Sequence, residues 1–354
     1  MAFGVFEHVE MSGMCVALPT QGYDTKTVAK DMDERSLKRF IKSTGVEHRF
    51  IAKKGQLASD LCFSAADHLL TAFDVDRSEV DACLFITQTP DYQEPSTAII
   101  LQERLGLSKE CIAFDVNLGC SAYVYGLYTM AGLIESGAIR KGLLLVGDVC
   151  FDQMKDQALF GDAGSATLLE YGSGKISGLL RSDGAGFQHI YVPYGGQRHP
   201  FDFEHPELLN EKQVMDGSAV FEFTIREVPK LLEDFNQMCG KSWDDYDAVV
   251  LHQANLMILK HIAKKLSIPM EKVPISIHKY GNVNGVTIPT TIVDMVQDTA
   301  PKREMSLMLS GFGVGLSWGA VSMKIDPGRV LPFIHTDHVW DENVKGESKW
   351  RIMN

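Results

Sequence analysis

The sequence predicts an α/β protein built from two similar halves. Three observations predict it. Short, nearly continuous apolar runs recur along the 354-residue chain, the pattern of parallel strands covered on both faces. Stretches with apolar residues at helical spacing separate them. Each half also offers helix, strand, helix, strand in comparable order, the alternation that packs helices on both sides of a sheet. The halves span residues 1–175 and 176–326, and an extension covers 327–354.

In the first half, Ser59–Phe73 reads as a helix, with Leu61, Ala65, Ala66, Leu69 and Leu70 at helical spacing. Strands follow at Ala82–Thr87 and Cys111–Val116, then a helix at Ser121–Ser136 and a strand at Leu143–Val149. A loop-rich middle runs from Gly172 to Pro206. The second half offers a helix at Ser218–Met238, a strand at Ala248–Leu251, a helix at Asn255–Leu266 and a strand at Val273–Ile277. A helix at Pro289–Val296 and strands at Ser306–Ser310 and Ala320–Ile325 complete it. After Asp326 the pattern stops, and the charged tail is expected to pack on the surface through Trp340 and Trp350.

Apolar residues make up 45% of the chain, enough for a sizeable core, and the formal net charge is −12. That balance argues against non-specific nucleic-acid binding, which needs basic groups to neutralise phosphates. It leaves room for an acidic partner on a local basic face. The seven cysteines form no CxxC pair and no zinc-type spacing with histidine, so no disulfide framework or structural zinc is expected. Free thiols, no leader-like N-terminus and no long apolar run predict a cytoplasmic protein without a membrane span.

Chemistry is expected first at DVNLGCSAYVYG, residues 115–126. Cys120 follows a strand and a turn containing Gly119, and it opens a helix. Unpaired N–H groups at a helix start favour a thiolate and are expected to lower the thiol pKa. Most intracellular cysteines are inert filler, and local context alone leaves that reading of Cys120 open. A nucleophile also needs partners. His252 stands at the end of the AVVL strand, where open α/β sheets bind ligands. HKYGNVNGVTIP then supplies Asn282 between glycines, and LSGFGVGLSWGA offers a glycine-rich strand end. Neither that loop nor GSGK at 172–175 fits a nucleotide-binding pattern. His335, Asp337, His338 and Asp341 are too irregularly placed for a metal site. The order Cys, His, Asn also occurs in papain-like proteases, whose CG[SA]C[WY] signature is absent.

Taken together, STGVEHRFIA (43–52), the Cys120 passage, LFGDAGSATLLE (159–170), LHQANLMILKHIAKKL (251–266), KYGNVNGVTIP (279–289) and GFGVGLSWG (311–319) resemble the β-ketoacyl-ACP synthase III family of the thiolase superfamily. The resemblance runs from about residue 10 to 325. It implies a thiolase-like fold in α-β-α-β-α layers and a homodimer. It places the nucleophile on Cys120, the other catalytic residues on His252 and Asn282, and the oxyanion hole on the backbone N–H groups of Cys120 and Val314. Phe160 matches an aromatic beside the thiol, and Glu94 replaces a phenylalanine that caps the partner subunit's acyl pocket. The implied reaction transfers an acyl group from acyl-CoA or acyl-ACP to Cys120, then condenses it with malonyl-ACP with loss of CO₂. No cofactor is implied.

Some positions depart from the family. Arg39 and Ser43 stand where a tryptophan and an arginine flank the adenine of coenzyme A. Met257 replaces a carrier-docking arginine, while Lys264 and Lys265 remain for an acidic acyl carrier protein. These departures keep a same-fold, non-decarboxylating acyltransferase of specialised metabolism as the alternative.

Overall fold

The computed structural model describes residues 2–29, 32–150, 158–200 and 213–341. The strands of its two large sheets are β1 (Ala2–Phe6), β2 (Val9–Pro19), β3 (Ala82–Ile86), β4 (Ile112–Val116), β5 (Lys141–Asp148), β6 (Ala163–Tyr171), β7 (Ile176–Ser182), β8 (Ala248–Leu251), β9 (Met305–Gly313), β10 (Ser317–Ile325) and β11 (Ile334–Thr336). They form a six-stranded sheet of order β11-β2-β6-β5-β3-β4 and a five-stranded sheet of order β1-β7-β10-β9-β8. Its principal helices are α1 (Glu34–Thr44), α2 (Ala58–Ala72), α3 (Thr97–Arg104), α4 (Ala122–Glu135), α5 (Gly217–Cys239), α6 (Leu256–Lys265) and α7 (Thr287–Thr299).

Alternation along the strands builds five layers. Leu84, Leu144, Val250 and Leu309 point inward with residues of α4 and α7, so those helices fill the space between the sheets. Cys83, Phe85 and Leu145 point the other way and cover α2 and α3. Val249, Leu251 and Met308 meet α5 and α6 on the far face. Strands covered on both sides read as continuous apolar runs, which is why β3, β5, β8 and β9 were legible.

Three expectations need correction. Val273–Ile277 is no strand: a short 3₁₀ turn, Met270–Lys272, leads into the one-turn helix Ile277–Tyr280. Pro274 has no N–H for a ladder, and the N–H groups of Ser276 and Ile277 donate to Gln253 Oε1 at 3.1 and 3.4 Å. The middle segment is less loop-like than expected, since β7 lies within it. Finally, the sheets are mixed: β3 pairs in parallel with β4 and β5, but β10 is antiparallel to both β9 and β7.

The sheets also exchange chain ends. β1 pairs with β7 in the second sheet, and β11 of the tail lies parallel to β2 in the first. Trp340 then stacks 5.0 Å from the Arg104 guanidinium, and its backbone N–H donates to Asp60, the buried ion-pair partner of Arg104. Trp350 lies outside the described residues.

Candidate active site

Two strand ends and a helix end bring the expected residues together. Cys120 follows β4 and precedes α4; His252 follows β8; Asn282 follows the Ile277–Tyr280 helix. All three line one cavity of about 160 Å³, with Phe160, Gly313 and Val314. Val220 and Phe221 at the start of α5 and Met215 just before it, with Ile190, Met257 and Ile258, give it an apolar wall.

Close backbone packing shapes the thiol's surroundings. A Cβ on Gly313 would lie 2.8 Å from Cys120 Sγ, so only glycine lets β9 end against the sulfur. The N–H groups of Val314 and of Cys120 itself point at the sulfur and favour its charged form. Burial outweighs them and pushes the thiol up to about 11. The expected lowering at the helix start is therefore absent in the free protein. Desolvation disfavours a thiolate more than the few local dipoles support it.

His252 is buried, and desolvation pulls its pKa down to about 3, so the ring is neutral at physiological pH. Its Nδ1 lies 2.7 Å from Thr287 Oγ1, and the Phe312 ring packs edge-on at 5.4 Å between centroids. The opposite ring nitrogen, Nε2, is the one left for the cavity. Asn282 is 5% exposed, and its Oδ1 accepts the Asn284 N–H at 3.0 Å. That bond turns the amide NH₂ to the open side. The backbone of Asn282 is held between Leu159 O and Gly161 N, at 2.9 and 3.1 Å. Phe160 is fixed in turn by Arg49, whose guanidinium donates to the Phe160 carbonyl at 2.6 Å.

The remaining expected residues lie apart. Glu94 is exposed on the loop between β3 and α3 and does not line the cavity. Lys264 and Lys265 are exposed on α6, and Lys265 Nζ donates to the Ile225 carbonyl at 2.7 Å. His335 and His338 of the tail pack on Phe50 and Phe63. Among the described residues, no group of three or more His, Cys, Asp or Glu is placed to hold a metal, and no helix is long and apolar enough to cross a membrane.

Sequence reading missed Thr287, Asn284 and Asp148. Asp148 ends β5, is fully buried and accepts bonds from the Gln88 N–H at 2.8 Å and the Thr87 hydroxyl at 3.1 Å. Burial raises its carboxyl to about 7, and its charge opposes ionisation of Cys120. Removing that charge lowers the thiol pKa. Asp148→Asn is therefore expected to speed Cys120 alkylation severalfold at pH 8–9 and to change it little at pH 5, where Asp148 is already protonated. Iodoacetamide kinetics followed by intact mass check this. Equal rates at pH 9 would show that Asp148 does not act on the thiol.

Two sheets layered between three tiers of helices, with a cysteine at the start of a helix of the middle tier, define the thiolase-like fold. Sequence comparisons place the chain more narrowly. Residues 114–184 match the family model for 3-oxoacyl-[acyl-carrier-protein] synthase III, and residues 237–325 match the model for its C-terminal part. A β-ketoacyl-[acyl-carrier-protein] synthase III of Syntrophomonas wolfei is 32% identical over 325 residues, covering 89% of this chain and 97% of its own. One from Neisseria meningitidis is 32% identical, covering 90% and 99%. A crystal structure of a 3-oxoacyl-(acyl-carrier protein) synthase from Burkholderia xenovorans superposes with a TM-score of 0.87 at 34% identity, covering 94% of this chain and 99% of that one. The chain belongs to the β-ketoacyl-ACP synthase III family of acyltransferases. These relatives favour a condensing enzyme over the non-decarboxylating alternative.

Proposed function

We propose that Cys120 carries the acyl group and that His252 and Asn282 stabilise the enolate of a malonyl thioester. The convergence of thiol, imidazole and amide on one cavity carries this reading. In the first half-reaction the Cys120 thiol loses its proton to solvent and its sulfur attacks the acyl carbonyl. The oxyanion forms against the N–H groups of Cys120 and Val314, which already point at the sulfur. The displaced thiolate takes a proton from solvent. In the second, the malonyl carboxylate leaves as CO₂ and its electron pair becomes an enolate. The enolate carbon attacks the acyl group and expels Cys120 as thiolate, which is reprotonated. The thioester and the carboxylate supply the driving chemistry, and the reading calls on no cofactor.

The cavity's apolar wall suits an acyl or pantetheine chain. Arg35, Lys38, Arg39 and Lys42 recur at helical spacing on the exposed face of α1. With Lys264 and Lys265 they offer an acidic acyl carrier protein a basic surface on a chain of net charge −12. In place of the adenine-stacking tryptophan, Arg39 favours charge contact with a carrier over stacking on coenzyme A. β4 ends its sheet with one unpaired edge among the described residues, and Ile112 at its start is 46% exposed. Such edges pair readily, which supports a homodimer; in this reading the protein is cytoplasmic and Glu94 reaches the partner's acyl pocket. Intact-mass measurement of Cys120 acylation, followed by CO₂ release from malonyl-ACP, tests the reading. Acylation without malonyl consumption would overturn it in favour of simple acyl transfer.

A further inference from the structure

We infer that Thr287 is a positioning residue that holds His252 in the tautomer with its proton on Nε2, and so makes the ring a hydrogen-bond donor to the cavity. The inference rests on the enolate reading above. A neutral imidazole carries one N–H, and the hydrogen bond at one nitrogen decides what the other presents. His252 is neutral because it is buried. Two polar groups beside the ring differ in kind. Thr287 Oγ1, at 2.7 Å from Nδ1, can donate or accept. The Asn284 carbonyl, which also interacts with the ring, only accepts.

Thr287 has one hydroxyl proton and two places to put it. Nδ1 is at 2.7 Å, and the Asn284 carbonyl is at 3.1 Å. Donation along the shorter contact leaves Nδ1 bare of hydrogen and puts the ring proton on Nε2. A hydroxyl is needed for this, because a carbonyl alone draws the proton to Nδ1 and turns a lone pair towards the enolate. Asn284 completes the arrangement: its N–H holds Asn282 Oδ1, so the amide NH₂ faces the cavity. Two neutral donors then converge where negative charge develops, a geometry that stabilises an oxyanion without repaying a buried charge. The three-residue turn Asn284–Val286 and the first residue of α7 thus serve both donors.

Thr287→Val keeps the shape and removes the hydroxyl. The Asn284 carbonyl, an acceptor only, then remains beside the ring, and the ring should change tautomer. The expected result is a split between half-reactions. Cys120 acylation stays within about threefold of wild type, while CO₂ release from malonyl-ACP falls on the order of 10²-fold. Thr287→Ser restores most of it. ¹⁵N-histidine NMR, with His252 assigned by difference from His252→Asn, gives a readout independent of activity. Nδ1 should be unprotonated in wild type and protonated in Thr287→Val. A protonated Nδ1 in wild type overturns the inference, as does an equal fall in both half-reactions with an unchanged tautomer. If wild type released no CO₂ from malonyl-ACP, the enolate reading would fail, while the NMR signal would still decide the tautomer.

Discussion

Cys120→Ala will gain no acyl mass from any thioester donor that acylates wild type, and condensation will fall on the order of 10⁴-fold or more, the scale of losing a covalent nucleophile. Cys62, Cys83 and Cys150 are fully buried, and burial pushes their thiols well above the ordinary range. Cys15 and Cys111 are raised the same way. Cys239, partly exposed, sits beside Lys241 in a cleft lined by β1 and β10, away from His252 and Asn282. Among the described residues, Cys120 is the thiol that lines the cavity with His252 and Asn282 and has N–H groups aimed at its sulfur. The variant keeps His252 and Asn282, so malonyl-ACP should still lose CO₂ slowly without any condensation. Intact mass and ¹⁴CO₂ release measure the two effects separately. Acylation of Cys120→Ala at the wild-type rate would place the nucleophile elsewhere.

The thiol also shows where sequence reading works and where it stops. Strands β3, β5 and β8 announce themselves because both faces are covered, and the strand-end placement of His252 follows from AVVL alone. β6 does not stand out as a strand in the sequence, because AGSATLLEY mixes small polar residues with apolar ones. Its glycine is required by packing that sequence does not display: a Cβ on Gly164 would lie 2.6 Å from the backbone of Cys62. Residue types in order could point to Cys120, His252 and Asn282. They could not give the sign of the thiol's pKa shift, which depends on how completely β9 and α4 exclude water around it. Nor could they single out Thr287, whose hydroxyl matters because a turn brings it to His252 across 35 positions. Val273–Ile277 failed for the same reason: Gln253, distant in sequence, claims its N–H groups.

Asn282→Asp will be more damaging to decarboxylation than Asn282→Ala, although it is the smaller change in shape. In both variants Cys120 should be acylated at close to the wild-type rate, because the proposed mechanism gives Asn282 no part in that step. Alanine removes one donor, and CO₂ release should drop about 10²–10³-fold. Aspartate retains an oxygen to accept the Asn284 N–H, so the loop keeps its geometry. Its second oxygen, however, replaces the NH₂ that faces the cavity. When ionised, that carboxylate meets the enolate with like charge in a water-poor site, where repulsion is strongest. The loss should therefore exceed that of alanine at pH 8 and shrink as pH falls and the carboxyl regains a donor proton. Alanine should show no such recovery. CO₂ release by the preacylated variants between pH 5.5 and 8 gives the comparison. Equal pH profiles for the two would mean that Asn282 shapes the loop rather than binding the developing charge.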